Sequence, residues 1–184
     1  GKSSLLNRLT SAGVLVENAL FATLDPTVRQ AKTPSGREFT ISDTVGFVRD
    51  LPHQLVEAFR STLEEVADSD LILHVVDGSD PDPEGQLTAV RAVFAQIGAT
   101  DVPELVVINK SDAADPFVID RIKLREKNSV AVSALTGQGI DELIAQIEMQ
   151  LPTLQHDIKV LIPYEHGDLV GRIYKEGHVI SRED

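Results

Sequence analysis

Residues 105–112 read LVVINKSD, an apolar run that ends in four polar residues. A short run rich in β-branched apolar residues is typical of a parallel strand that is covered on both faces. Similar runs at 71–76 and 130–132 alternate with segments whose apolar residues recur at helical spacing, at 87–97, 116–126 and 140–147. This alternation predicts a doubly wound α/β fold, with a mostly parallel sheet and helices on both faces.

The polar end of this run, Asn109-Lys110-Ser111-Asp112, fits the pattern NKxD. A guanine edge presents an N1–H and an exocyclic amine, and the Asp112 carboxylate can accept hydrogen bonds from both, which adenine does not offer. A base that left this carboxylate unpaired would be rejected by about 10⁴-fold. We expect Asn109 to brace the loop and Lys110 to cover the base. The alternative is a polar loop that binds nothing.

Three further motifs follow predicted strands or occupy the chain start. Gly1-Lys2-Ser3 matches the last three positions of a P-loop, where the lysine meets the β- and γ-phosphates and the hydroxyl binds magnesium. Asp43-Thr44-Val45-Gly46 fits DxxG, in which the aspartate holds a magnesium-bound water and the glycine amide contacts the γ-phosphate. Ser133-Ala134-Leu135 fits SA[KLQ], in which the alanine amide reaches guanine O6. Because ligands bind at the carboxyl ends of parallel strands, we expect these motifs to converge.

The remaining elements suggest two domains. We predict a helix at 2–12, a β-hairpin from 27–32 and 38–43, and a helix after Pro52. Pro152 ends the last helix, and Val160–Pro163 and Leu169–Tyr174 are predicted strands of a small α+β module that begins at 153. Residues 1–152 would then form a nucleotide-binding domain that lacks its first strand and the first half of its P-loop. We expect residues 1–184 by themselves to fold poorly or to bind nucleotide weakly.

Composition excludes several classes of protein. The 17 Lys+Arg and 29 Asp+Glu residues give a formal net charge of −12, which argues against direct nucleic-acid binding by these residues alone. The absence of cysteine excludes a disulfide scaffold and a thiolate metal site. No apolar run approaches the roughly 20 residues of a membrane span, and no signal peptide is visible, so we expect a cytoplasmic protein.

Together the four motifs resemble those of TRAFAC-class P-loop GTPases with a Ras-like sheet. The segment FATLDPT at 21–27 looks like switch I of the HflX branch of the Obg-HflX superfamily, and residues 43–59 and the IPY element at 162–164 are similar to HflX too. The resemblance implies that Thr23 completes magnesium coordination with Ser3, with Thr27 as the rival candidate. The nucleotide-binding set that it implies comprises Gly1, Lys2, Ser3, Ser4, Phe21, Ala22, Thr23, Leu24, Asp25, Asp43, Thr44, Val45, Gly46, Asn109, Lys110, Ser111, Asp112, Ser133, Ala134 and Leu135.

Hydrolysis of GTP needs a water in line with the γ-phosphate and neutralised charge on the phosphate oxygens. Lys2, Thr23 and Gly46 are the candidate catalytic residues, with Mg²⁺ as cofactor. Ras-like enzymes orient the water with a glutamine after DxxG, but that position is Phe47 here. The water would instead be positioned by backbone groups, switch I, a monovalent cation such as K⁺, or a partner. We therefore expect slow intrinsic turnover that a partner accelerates.

The HflX resemblance also implies a partner. Proteins of that family bind the large ribosomal subunit and split ribosomes, largely through an N-terminal domain that would precede Gly1. Two alternatives stay open. The first is a nucleotide-gated binding module with negligible turnover. The second is an Obg-like or Era-like GTPase of ribosome assembly.

Overall fold

The computed structural model describes residues 1–10, 27–43, 65–152, 162, 167–176 and 181. The helices and strands in these ranges are, in chain order, α1 (Lys2–Thr10), β1 (Thr27–Lys32), β2 (Glu38–Asp43), β3 (Ile72–Asp77), α2 (Pro83–Gln96), β4 (Glu104–Asn109), α3 (Pro116–Arg125), β5 (Ser129–Ala131), α4 (Ile140–Gln150) and α5 (Gly167–Glu176). The chain divides into two compact units, Gly1–Pro152 and Thr153–Asp184.

The strands of the first unit form two sheets. β3, β4 and β5 are parallel neighbours, in the order β3-β4-β5. β1 and β2 form an antiparallel hairpin in which Thr27 pairs with Asp43 and Lys32 with Glu38. The predicted hairpin and the predicted alternation of parallel strands with helices are therefore confirmed, with strand bounds that differ from the prediction by about one residue.

Strand β4 is the centre of the parallel sheet, and all its residues from 105 to 109 are buried. Leu105 and Val107 pack with apolar residues of α1 and α4. Val106 and Ile108 pack with apolar residues of α2 and α3. Because alternate residues of a strand point to opposite faces, helices cover both faces of this sheet, as the sequence predicts.

Two helices begin at aspartates that cap them. The Asp82 carboxylate accepts a hydrogen bond from the Gly85 amide at the start of α2, at 3.0 Å. The Asp115 carboxylate accepts one from the Phe117 amide at the start of α3, at 2.9 Å. Each aspartate is followed by a proline, whose missing N–H costs nothing in the first turn. These local signals place the helix starts, and with them the loops that follow β3 and β4.

A charged network joins the amino-terminal half of the parallel sheet to its helices. Buried His74 contacts Glu104 with its Nδ1 at 2.5 Å from Oε1, and its ring lies edge-on to that of Phe94. Arg91 of α2 lies between two carboxylates, with Nε 2.9 Å from Glu104 and Nη2 2.7 Å from Glu126. Burial by itself would raise the pKa of Glu104, but hydrogen bonds from His74 and Arg91 outweigh burial and hold that pKa below its usual range.

The prediction of a strand at Leu169–Tyr174 is wrong, since these residues lie within helix α5. The apolar residues Leu169, Val170 and Ile173 recur at spacings of one, three and four residues, which is a helical spacing rather than the alternation of a strand. Gly167 is the first residue of the helix. Of the other predicted strand, 160–163, only position 162 is described, and it lies in neither a helix nor a strand. The predicted helix after Pro52 is described only at 65–67, where it is helical.

Candidate functional site

Three of the four predicted motifs meet around the side chain of Asn109, at the carboxyl end of β4. Asn109 is 2% exposed. Its Oδ1 accepts hydrogen bonds from the amides of Lys110 at 2.8 Å and Ala134 at 3.1 Å. Its Nδ2 donates to the carbonyl of Gly1 at 3.4 Å. One buried side chain therefore joins the start of α1, the loop after β4 and the loop after β5.

The loop after β4 has an unusual backbone. Lys110 has a φ of 61°, the left-handed region that non-glycine residues seldom adopt. The Lys110 carbonyl accepts hydrogen bonds from the amides of Ala113 and Ala114, and the Ser111 amide donates to the Val132 carbonyl at 3.0 Å. The side chain of Asp112 is left exposed at the tip of this loop. The loop is thus held in shape by its own backbone and by the strand end next to it.

The carboxylate of Asp77, at the end of β3, holds the side chain of Lys110. The parallel register sets Asp77 level with Asn109, and Oδ2 of Asp77 lies 2.5 Å from Nζ of Lys110. Oδ1 of Asp77 accepts hydrogen bonds from the amide and hydroxyl of Ser79. Burial by itself would raise the pKa of Asp77. The hydrogen bonds from Lys110 and Ser79 outweigh burial and hold this pKa below its usual range. The sequence prediction missed Asp77, although its place at the end of an apolar run was a usable signal.

The phosphate-binding candidates lie in the first turn of α1. Gly1 precedes this helix and accepts a hydrogen bond from the Leu5 amide, while Lys2, Ser3 and Ser4 form its first residues. A helix amino terminus carries unpaired amides and a positive dipole end, which favour an anion. The structure also brings a carboxylate from far along the chain to this turn. Oδ1 of Asp43, the last residue of β2, lies 2.9 Å from Nζ of Lys2.

A magnesium ion fits the oxygen atoms at this end of the site. The Ser3 hydroxyl and the Asp43 carboxylate are hard oxygen donors, the kind that Mg²⁺ takes. Among the residues described, no group of three or more histidine, cysteine or carboxylate side chains is placed to hold a metal ion. Beside a nucleotide, Mg²⁺ usually takes several of its ligands from phosphate and water.

The loop after β5 is built around Ser133, which is fully buried. Its hydroxyl accepts a hydrogen bond from the Thr136 amide, and its carbonyl accepts one from the Gly137 amide. Ala134 and Leu135, the other two residues of the predicted SA[KLQ] motif, continue this turn, and Leu135 is 76% exposed. The Ala134 amide, which the motif assigns to guanine O6, donates to Asn109 in this structure.

Arg8 of α1 donates hydrogen bonds to this loop, and the sequence prediction missed this residue. Its Nε donates to the carbonyl of Ala134 at 3.1 Å, and its Nη2 donates to the carbonyl of Leu135 at 2.7 Å. Both acceptors are backbone atoms, which every residue possesses, so no residue type at 134 or 135 marks the contact in the sequence.

Several predicted site residues lie outside the described residues, so their placement stays a prediction. They are Phe21, Ala22, Thr23, Leu24, Asp25, Thr44, Val45, Gly46 and Phe47. Thr27, the rival magnesium ligand, is the first residue of β1. None of the helices described above is both long and apolar enough to cross a membrane.

Comparisons with known proteins agree with the motifs. Residues 1–110 match the family model described as "50S ribosome-binding GTPase", and residues 118–184 match the model of the HflX C-terminal domain. The chain is similar to the GTPase HflX of Lacrimispora saccharolytica, with 45% identity over 100% of this chain and 43% of that protein. It is also similar to the GTPase HflX of Escherichia coli, with 41% identity over 95% of this chain and 42% of that protein.

A solved structure supports the same fold. The chain is similar to Era in a complex with MgGDPNP and nucleotides 1506–1542 of 16S ribosomal RNA, with a TM-score of 0.63 and 28% identity. The match covers 89% of this chain and 55% of that one. The P-loop GTPase fold expected from the motifs is therefore confirmed. The chain spans less than half the length of the HflX relatives named above.

Proposed function

Because the chain belongs to the HflX family of GTPases, we propose that it binds guanine nucleotides around Asn109 and hydrolyses GTP to GDP and phosphate. The observation that carries the proposal is the set of three hydrogen bonds of Asn109, which join the phosphate-binding candidate at Gly1 to the two loops at Lys110 and Ala134. A nucleotide, which has an anionic end and a base end, would contact all three segments at once.

At the base end, the exposed Asp112 carboxylate would accept hydrogen bonds from guanine N1–H and the exocyclic amine. Lys110 would cover one face of the base with its aliphatic carbons, since Asp77 holds its ammonium group to one side. The loop at 133–135 would donate a backbone amide to guanine O6. The Ala134 amide would then be shared with Asn109 or exchanged between the two acceptors.

At the phosphate end, Lys2 and the first amides of α1 would bind the β- and γ-phosphates. Phosphate would compete with Asp43 for Lys2, since the two side chains form an ion pair 2.9 Å long in this structure. Once released, the Asp43 carboxylate would be available to hold a magnesium-bound water. Ser3 and Thr23 are the proposed direct ligands of the ion, whose charge would neutralise the phosphate oxygens when bound.

Phe47 stands where a water-orienting glutamine is found in Ras-like enzymes, which sets the expected rate. We propose that the amide of Gly46 and the residues around Thr23 position the water, with K⁺ or a partner as a further aid. Turnover would accordingly be slow for the chain alone and faster with its partner. The second candidate function is a nucleotide-gated binding module, in which nucleotide occupancy matters and hydrolysis is incidental. Phe47 in place of glutamine favours this function too. Single-turnover hydrolysis with and without ribosomes separates these two candidates.

The proposed partner is the large ribosomal subunit in the cytoplasm, with ribosome splitting as the outcome of binding. The matching family is described as ribosome-binding, and the similar Era structure holds a segment of ribosomal RNA. The net charge of −12 is unfavourable for contacts with RNA phosphates. Most such contacts would therefore come from regions of the relatives that this chain does not span.

The decisive experiment compares binding of GTP, GDP, ATP and xanthosine triphosphate to the full chain and to Asp112→Asn. We expect guanine selectivity in the unsubstituted chain. We expect Asp112→Asn to prefer xanthosine nucleotides, because the amide can donate to the second carbonyl of xanthine. Asp120→Asn, an exposed substitution of the same kind in α3, is the matched control and should keep guanine selectivity. Equal binding of GTP and ATP by the unsubstituted chain would refute the proposal.

A further inference from the structure

The guanidinium of Arg8 links two parts of the molecule that are far apart in sequence. Arg8 lies in α1, the helix whose first turn holds the phosphate-binding candidates Lys2 and Ser3. Its Nε and Nη2 donate to two successive carbonyls of the loop after β5, those of Ala134 at 3.1 Å and Leu135 at 2.7 Å. The planar fork of a guanidinium suits two neighbouring acceptors, and an ammonium group does not present the same geometry.

The same loop is held from its other side. The amide of Ala134 donates to Oδ1 of buried Asn109 at 3.1 Å, while the Ala134 carbonyl accepts from Arg8. Both polar backbone groups of Ala134 are thus engaged, by side chains from two different elements. The orientation of the loop is therefore set before any nucleotide arrives.

Gly137 closes the turn over the guanidinium. It has a φ of 91°, and a Cβ built on it would lie 3.3 Å from Nη1 of Arg8. A side chain at this position would both strain the backbone and press on the arginine. The positive φ favours glycine at this position, and the lack of a side chain leaves room for the guanidinium beside the turn.

We propose that Arg8 is a positioning residue for the nucleotide base, acting by holding the loop 133–137 in place on the helix that binds the phosphates. This inference rests on the proposed binding of guanine nucleotides. Guanine has a single carbonyl acceptor, O6, and the backbone amides of a loop can donate to it only if the loop has a defined position. Leu135 is 76% exposed, so side-chain packing at the loop tip does not supply that position. The guanidinium holds the carbonyls of Ala134 and Leu135 through two charge-assisted hydrogen bonds, in addition to the bond from the Ala134 amide to Asn109.

The test compares Arg8→Ala and Arg8→Lys with the unsubstituted full chain. The dissociation rates of a fluorescent GDP are measured, together with the affinities for GTP and for 2-aminopurine riboside triphosphate, which lacks the 6-oxygen and the N1–H. In both variants we expect GDP to dissociate about tenfold faster, a change of about 1.4 kcal/mol. We also expect the preference for GTP over the analogue to fall by a similar factor.

The control is Arg125→Ala, which removes an exposed arginine from α3, where it pairs with Glu84. Like Arg8→Ala, it removes one positive charge, and it should leave both readouts unchanged. Arg8→Lys keeps the charge near the carboxyl end of α1 and removes only the fork, so it remains informative if Arg8→Ala is poorly folded.

Two results would overturn the proposal for Arg8. One is an unchanged GDP dissociation rate in Arg8→Lys. The other is a lower melting temperature with equal losses of GTP and analogue affinity, which would mark a purely structural role. If the unsubstituted chain fails to discriminate guanine from adenine nucleotides, the proposed function itself fails, and that outcome is seen before any variant is measured.

Discussion

Replacing Asn109 with alanine removes the side chain that joins three segments of the site, and its effect on stability follows from the structure. The Lys110 and Ala134 amides would both lose their acceptor. A buried donor left without a partner costs about 1–3 kcal/mol. Both hydrogen bonds are partly buried, so water offsets part of the loss at each amide. The contact with Gly1 is long, at 3.4 Å, and adds little. We therefore expect Asn109→Ala to lose about 2–3 kcal/mol of unfolding free energy.

Urea denaturation followed by far-ultraviolet circular dichroism measures this loss. The chain has no tryptophan, so intrinsic fluorescence would report poorly on unfolding. The midpoint should fall with an unchanged slope, and the melting temperature should drop by roughly 4–12 °C for a chain of this size. Nucleotide is left out, so that binding does not contribute to the measured stability.

Ser111→Ala is the control for this prediction, because it changes the same loop without removing a hydrogen bond. The Ser111 hydroxyl is buried and makes no hydrogen bond within the described residues. Its removal should change the free energy of unfolding by less than about 0.5 kcal/mol, or raise it slightly. The reasoning fails if Asn109→Ala is as stable as the unsubstituted chain, or if Ser111→Ala loses as much as Asn109→Ala.

Two further predictions concern ionised side chains. The pKa of Glu104 is held below its usual range, so the stability that its carboxylate contributes is present above that range and is lost as the pH falls through the lowered value. In urea titrations from neutral to acidic pH, Glu104→Gln should start less stable and show a shallower acid loss; a parallel loss would contradict this prediction. Asp77→Asn should free the ammonium of Lys110 and weaken GDP binding about tenfold, by roughly 1.4 kcal/mol, in isothermal titration calorimetry. Ser79→Ala, which keeps the ion pair, should bind GDP much more tightly than Asp77→Asn, and equal affinities would show that the ion pair is not responsible.

The sequence determined the parallel core of the first unit and the residues of the base loop. The apolar runs that end at Val76, Ile108 and Val132 can be recognised as strands in the sequence, because burial on both faces of a strand requires apolar residues at consecutive positions. The capping aspartates and prolines are likewise local signals. The NKxD loop was predicted at 109–112, and there the structure places a buried Asn109 and an exposed Asp112.

Helix α5 shows where local patterns fail. Its segment, 167–176, contains two glycines and a short set of apolar residues, and such a set is compatible with both periods when only a few residues are considered. The helical period becomes evident only when Leu169 and Ile173 are considered as a pair four residues apart.

The tertiary structure alone decided how the motifs are held together. The bonds from Arg8 to Ala134 and Leu135 join residues 126 and 127 positions apart, and they end on backbone carbonyls, which leave no trace in residue type. Asp77 meets Lys110 only because the register of β3 against β4 sets it beside Asn109. Lys2 and Asp43 form an ion pair because α1 packs beside the end of β2. Residue types determine which groups are available for binding, but distances between them depend on the packing of distant elements.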